Sequence, residues 1–406
     1  MKTKNFLISK KLIFIALLSI CFHTLCAQEP SQKEQWQVEG YVFFGTIAKH
    51  NDLIASFLEN GRTRIYDLRV NYRDFYSHDA ASYHYPLIGV GFSVIDFSDV
   101  RLLGNANKQM GNMYALYGSL NQTWLQIKRL KFFYACNLGI AYHSDPYDAQ
   151  KNPYNQFTSS HLLCFIGLDL GTALQLSDRW ALCVKGSARH SSNGRLGIVN
   201  AGFNILGGNV GLSYCFPSTR VRSEPKEANL FTKHFEYHLS AGGGVQTYLE
   251  DVFAYPYIDH PENSVFYEKL YPKYFLSTDA MYRFSKIYSC GIGLDLFYVP
   301  FTDSFRVWDR INPDVPPDFH SKYNSWSTGL AFTQEVYYNN LALALALGYY
   351  LYRDLGFRKQ YESPIYQRVG LRYYLPAIGN LFCGFSIKGH QFHLAEYIEL
   401  AIGKKF

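Results

Sequence analysis

In the stretch RHSSNGRLGIVNAGFN, residues 189–204, His190 and Ser192 stand two positions apart, with Asn193, Gly194 and Asn204 close by in the chain. Such a set can perform acyl transfer. A serine hydroxyl is a weak nucleophile until a neighbouring imidazole takes its proton. The tetrahedral oxyanion formed from an ester then needs fixed donors beside it. Residues i and i+2 of a strand share one face, about 6.5 Å apart at the backbone, so His190 and Ser192 can meet if they lie on a strand. The plainer alternative is a strand end that turns polar where it leaves a bilayer.

The elements that would hold these residues have period two. In the run WALCVKGSARH the even positions Trp180, Leu182, Val184, Gly186 and Ala188 are apolar or small, whereas Lys185, Ser187 and Arg189 are odd. The even side should face lipid and the odd side a lumen. His190 and Ser192 fall on the lipid side, and Ser191 on the lumen or turn side. In the next run Leu206, Val210, Leu212, Tyr214 and Phe216 define an apolar even face that also carries Asn204. The odd positions there are small or polar apart from Phe203 and Ile205. Polar groups facing lipid are tolerated near headgroup depth, which suits a substrate drawn from the membrane itself.

The remainder of the chain repeats this pattern. Eight strand-like segments of about 10 to 16 residues fill the chain up to Phe216, and eight more run from His234 to the end. The two halves align locally: CVKGSARHSSN (183–193) lies against SIKGHQFHLAE (386–396) through a shared Lys-Gly. This sets His393 opposite His190, Ala395 opposite Ser192 and Glu396 opposite Asn193, so at most the first copy has a nucleophile. With 34 Tyr and 31 Phe the chain is rich in the residues that form interfacial girdles, and it ends on an aromatic, Phe406. The fold class is therefore all-β: a transmembrane antiparallel β-barrel of about 16 strands from a duplicated eight-strand unit. A single large barrel is preferred to two eight-stranded ones, because tandem barrels are uncommon. The expected organisation is a signal peptide (1–27), an eight-strand unit (28–216), a linker (217–234) and a second, degenerate eight-strand unit (235–406).

Charge and cysteine usage narrow the function classes. The formal charge is +6, but Lys2, Lys4, Lys10 and Lys11 lie in the first 27 residues, which hold no acids. The rest of the chain is thus near +2, too little to argue for a nucleic-acid partner. The n-region lysines, the apolar run LIFIALLSICF and a cut near Ala27 read as a secretory signal. Cys136, Cys164, Cys183, Cys215, Cys290 and Cys383 stand singly within strands without CxxC spacing, so metal binding is not expected; small lumen-facing roles are.

HSSNG (190–194) together with NAGFN (200–204) resembles the outer-membrane lipid A 3-O-deacylase family, also called acyloxyacyl hydrolases. YPLIGVG (85–91) and NPYNQFTSSHL (152–162) are similar to segments of its longer members. The resemblance covers residues 28–216, and it reaches the second half only through the repeat and the ending AEYIELAIGKKF. It implies an eight-stranded barrel with a lipid-facing serine esterase site near the outer rim, removing an ester-linked acyl chain from lipid A or a related membrane lipid. By resemblance Ser192 is the nucleophile, His190 the general base, and Asn193 with Gly194 the oxyanion and substrate contacts. The family uses a glutamate to orient the histidine, where this chain has Asn204. Either the amide serves, or Asp145 or Asp148 substitutes, or activity is low. No cofactor or metal is implied; His50, His143 and His161 read as rim residues. The expected location is the outer membrane, reached through a cleaved signal, with membrane lipid as substrate and homodimerisation left open. The alternative is a non-enzymatic barrel, a pore or structural protein with a decayed hydrolase motif. The hydrolase reading requires Ser192 Oγ and His190 within hydrogen-bond reach.

Overall fold

The computed structural model describes residues 35–406 except 51, 75–77, 104–109, 149, 218–230, 249–268, 317–321, 361 and 392–393. The signal segment, most of the linker and His393 lie outside the described residues.

All sixteen strand-like segments form strands. The first unit contains β1 (Gln35–Ile47), β2 (Arg62–Arg73), β3 (Leu87–Asp96), β4 (Asn112–Ile127), β5 (Leu130–His143), β6 (Leu162–Gln175), β7 (Trp180–Ser192) and β8 (Phe203–Cys215). The second contains β9 (His234–Gln246), β10 (Tyr271–Ser285), β11 (Tyr288–Tyr298), β12 (Trp326–Tyr338), β13 (Leu341–Tyr352), β14 (Ile365–Leu375), β15 (Leu381–His390) and β16 (Leu394–Lys405). Neighbours pair antiparallel throughout, and β1 closes on β8 while β9 closes on β16. The pairing therefore departs from the single large barrel preferred from sequence: each set of eight strands closes on itself. Closure leaves no strand edge in lipid, where an unpaired backbone group is costly.

The alternation read from sequence decides which side faces out. On β7 Trp180, Leu182 and Val184 are exposed, whereas Cys183, Lys185, Ser187 and Arg189 are buried. Large apolar side chains cover the outside of the first barrel, among them Phe44, Leu170, Leu206 and Val210. Aromatic pairs such as Trp36 with Tyr72 and Trp180 with Tyr214, each with centroids 4.9 Å apart, mark the short-turn end. This is the exterior of a transmembrane barrel.

Both lumens hold charge networks. In the first, Arg69 pairs with Asp67 and Asp169 at 2.8 Å each, and Arg189 and Lys185 also reach Asp169, at 2.8 and 3.3 Å. The Tyr117 hydroxyl donates to Asp67. In the second, Arg368 binds Asp295 at 2.9 Å and Glu399 at 3.0 Å, and Arg372 binds Glu335 at 2.7 Å. Charges this deeply buried persist only when paired and hydrogen-bonded, so inward residues are matched across strands far apart in sequence.

The cysteines depart from their expected place. Cys183 and Cys215 share the inward parity of Lys185 and Asn209, but Cys136 and Cys383 are exposed on the outward parity, and none of the six forms a disulfide. A thiol behaves as a small hydrophobe, so it is as acceptable on the lipid side as inside. Among the described residues three short α-helices have no counterpart in the strand pattern read from sequence: α1 (Asp52–Phe57), α2 (His78–Ser82) and α3 (Thr302–Ile311). Each is an insert between strands. α3 docks on the second barrel through Phe305, which packs with Phe301, Tyr248 and Leu355.

Candidate active site

The site is built where β7 and β8 reach the long-loop end of the first barrel. Asn204 and His190 are direct partners across the β7–β8 ladder, and Ser192 lies two residues past His190 on the same outward side. His190 Nδ1 lies 2.7 Å from Asn204 Oδ1, and His190 Nε2 lies 3.0 Å from Ser192 Oγ. An amide oxygen accepts and cannot donate, so it fixes the proton on Nδ1. Nε2 is then left with a lone pair, to which the Ser192 hydroxyl donates. The three residues singled out from sequence are thus brought into one hydrogen-bonded line, in the tautomer that a general base in this position would need.

Their surroundings differ from a bare lipid face. Ser192 is 8% exposed although it has the outward parity. Two loops cover it. The 144–161 segment pairs with the 193–202 segment through Ser159 N–H to Val199 O (2.8 Å) and Gly202 N–H to Phe157 O (2.9 Å). The stretches NPYNQFTSSHL and NAGFN therefore pack directly on one another. Beneath them Phe157 stacks on Phe203 at 4.7 Å and Phe203 on Phe97 at 5.0 Å. Phe203 and Ile205, which broke the small-or-polar rule on β8, are 0% and 1% exposed in the core that plugs the barrel mouth. The wall of the site is thus anchored by apolar burial.

Asn193 is buried, its backbone N–H donates to Asn200 Oδ1 at 3.0 Å, and its side-chain amide reaches Val199 O at 3.4 Å. Gly194 has φ +59°, a left-handed value that accounts for glycine there. The alternative carboxylates do not reach His190. Asp145 accepts from the Ser144 hydroxyl at 2.8 Å. Asp148 accepts the N–H groups of Lys151 and Gln150 at 2.7 and 2.9 Å, and these donors hold its carboxyl below the usual range. His143 and His161 make carbonyl contacts, Nε2 of His143 to Met110 O and Nδ1 of His161 to His143 O, each at 2.8 Å. No group of metal-ligating side chains occurs among the described residues.

Sequence reading singled out neither Asn200 nor Gly202, and it placed His50 only at the rim. Asn200 and Gly202 lie within the quoted NAGFN, so the signal was present; their roles depend on how the loop folds back. Gly202 has φ +75°, and a Cβ built on it would lie 3.3 Å from His190 Cε1 and 3.5 Å from Ser192 Cβ. In the second unit Lys388 matches Lys185 as a buried, ion-paired inward lysine. There, however, β15 ends two residues later at His390, whereas β7 runs seven residues beyond Lys185 to Ser192. Among the described residues of that copy, no strand extension like the one that carries His190 and Ser192 follows Lys388.

Comparison with protein families matches residues 235–406 to the C-terminal domain of acyloxyacyl hydrolases. Over those residues the chain is similar to the acyloxyacyl hydrolase family. The match falls on the half without the triad, while the motif resemblance and the assembled residues lie in the other half. No curated protein sequence matches the chain. Among solved structures it is similar to neisserial surface protein A (11% identity, covering 46% of this chain and 97% of that one, TM-score 0.28). It is also similar to OccK8 (OprE) of Pseudomonas aeruginosa (7% identity, covering 93% and 98%, TM-score 0.24). Likenesses this remote carry no argument about the site.

Proposed function

We propose that the chain is an outer-membrane serine esterase that removes an ester-linked acyl chain from lipid A or a related acylated lipid. The observation that carries this reading is the continuous line Ser192 Oγ, His190 Nε2, His190 Nδ1, Asn204 Oδ1, with links of 3.0 and 2.7 Å. Ser192 attacks the ester carbonyl while His190 takes its proton. The imidazolium returns that proton to the departing alkoxide, and water releases the acyl group from Ser192 in a second pass of the same steps. The Asn193 N–H, which donates to Asn200 Oδ1 in the substrate-free site, is given over to the oxyanion during attack. Asn204 holds the ring in place but leaves the imidazolium without a countercharge. Placement on the outward side of the barrel, at its long-loop end, supports a substrate presented by the outer leaflet.

The networks filling both lumens give the alternative reading of a pore no support, since the described interior is occupied by paired charges. The deciding experiment compares lipid A mass spectra from Gram-negative cells expressing the chain or its Ser192→Ala variant at equal membrane levels. Loss of one ester-linked acyl chain with the native sequence alone is expected. An identical acyl pattern in both would overturn the enzymatic reading.

A further inference from the structure

We propose that His50 is a positioning residue for the triad, a role that rests on the esterase reading for its catalytic consequence but not for its geometry. His50 lies just past the end of β1, far from Ser192 in sequence. Its Nε2 lies 2.9 Å from Ala201 O and its Nδ1 lies 3.0 Å from Ala48 O. Both partners are acceptors, so the ring donates to one when it carries a single proton and to both when it carries two. With a proton on Nε2, in the neutral or the doubly protonated ring, it ties the end of β1 to the residue before Gly202.

The residues after Ala201 give that tie its importance. Gly202 lies against the edge of the His190 ring, near enough that a Cβ on it would come within 3.3 Å of Cε1. Two residues later Asn204 orients Nδ1, and its own carbonyl accepts the Ala48 N–H at 2.7 Å. Segment 201–204 therefore supplies both a wall and the orienter for His190. It is held to the end of β1 at two points, one a backbone bond and one the His50 side chain. The register of β8 fixes Asn204 from below, and His50 and the Gly202 N–H to Phe157 O bond fix the segment from above. Without His50, Ala201 and Gly202 gain freedom, and the imidazole that leans on them loses a defined orientation toward Ser192.

The test uses full-length protein with His50→Phe, which keeps a flat ring but has no donor, and His50→Gln, which keeps an amide donor. In the esterase assay His50→Phe should lower kcat about tenfold or more with KM within about twofold, because small misplacements of a catalytic group act on the chemical step. His50→Gln should recover most of the loss. The second readout needs no turnover: the low-field proton resonance of His190 Nδ1–H, assigned by its absence in His190→Gln. It should persist in the native chain and in His50→Gln, and vanish through exchange in His50→Phe. If His50→Phe does not assemble as a heat-modifiable barrel, His50→Leu takes its place. An unchanged resonance and an unchanged kcat in the donorless variant overturn the proposal, as does equal loss in His50→Gln. If the native chain shows no hydrolysis but the resonance behaves in this way, the esterase reading fails and the positioning role stands.

Discussion

Asn204 Oδ1 accepts a hydrogen bond from His190 Nδ1 at 2.7 Å, and the two residues face each other directly across the β7–β8 ladder. The bond is therefore set by strand register, which a one-residue slip would destroy by sending every side chain to the opposite face. Its geometry supplies one of the two services that an acid would give in this place. The amide fixes the ring and its tautomer, but under the proposed mechanism it does not offset the positive charge that the ring acquires when Ser192 attacks.

Separating those services yields the first prediction. Asn204→Asp keeps the size of the side chain and adds the missing charge, so kcat should rise by about tenfold or more, since the reverse change in a serine protease costs far more. Asn204→Leu removes both services and should lower kcat about a hundredfold or more. The measurement is initial rate on an ester-acylated lipid in detergent. A slower Asn204→Asp enzyme with intact folding would show that charge compensation does not limit the reaction.

Gly202 is the next test of the wall behind His190. Its φ of +75° and the 3.3 Å gap between a built Cβ and His190 Cε1 leave no comfortable place for a side chain. Gly202→Ala should cost about 1–2 kcal/mol through the left-handed backbone and should also displace the imidazole. The expected outcome is a kcat loss greater than the small drop in unfolding temperature explains. Full activity with lowered stability would show that the wall does not position the ring.

Much of this architecture is legible in the residues. Trp180–Ser192 is the strand read from its alternation, and the parity of Lys185 and Arg189 places His190 and Ser192 on the outer side. This works because period-two patterning is local: each residue reports its own face. Closure into two barrels is not local. It depends on β1 finding β8, and β9 finding β16, and outward and inward residues alternate alike in small and large barrels. The short helices are hidden for a related reason. α3, TDSFRVWDRI, buries Phe305 only because Tyr248 and Leu355 come to meet it. Likewise Phe203 looks misplaced on β8 until Phe97 and Phe157 stack against it. His50 gives no local signal, since its partners are backbone carbonyls brought together by the fold.

The lumen of the first barrel gives a stability prediction. Asp169, 3% exposed, binds Arg69, Arg189 and Lys185 and accepts from Asn137 Nδ2 at 3.1 Å and Ser187 Oγ at 2.5 Å. Asp169→Ala leaves three buried cations sharing Asp67, and should destabilise the barrel by about 3–5 kcal/mol. Heat-modifiability on gels and urea unfolding in micelles read this directly. A loss under about 1 kcal/mol would mean that water enters the lumen and solvates the cations.

The outer face is tested by depth. Val210 is mid-strand on β8 and 53% exposed, whereas Phe216 lies just past its end and is 45% exposed. Arginine at a lipid-facing position costs about 2–4 kcal/mol at the bilayer midplane and about 0–1 near the interface. Val210→Arg should therefore lower the stability of the bilayer-inserted chain far more than Phe216→Arg. In a detergent micelle, which deforms around a charge, the gap should shrink. The comparison is urea unfolding in vesicles against unfolding in micelles. Equal costs at the two positions in vesicles would show that this side of β8 does not face hydrocarbon, and the outward, membrane-presented position of Ser192 would fall with it.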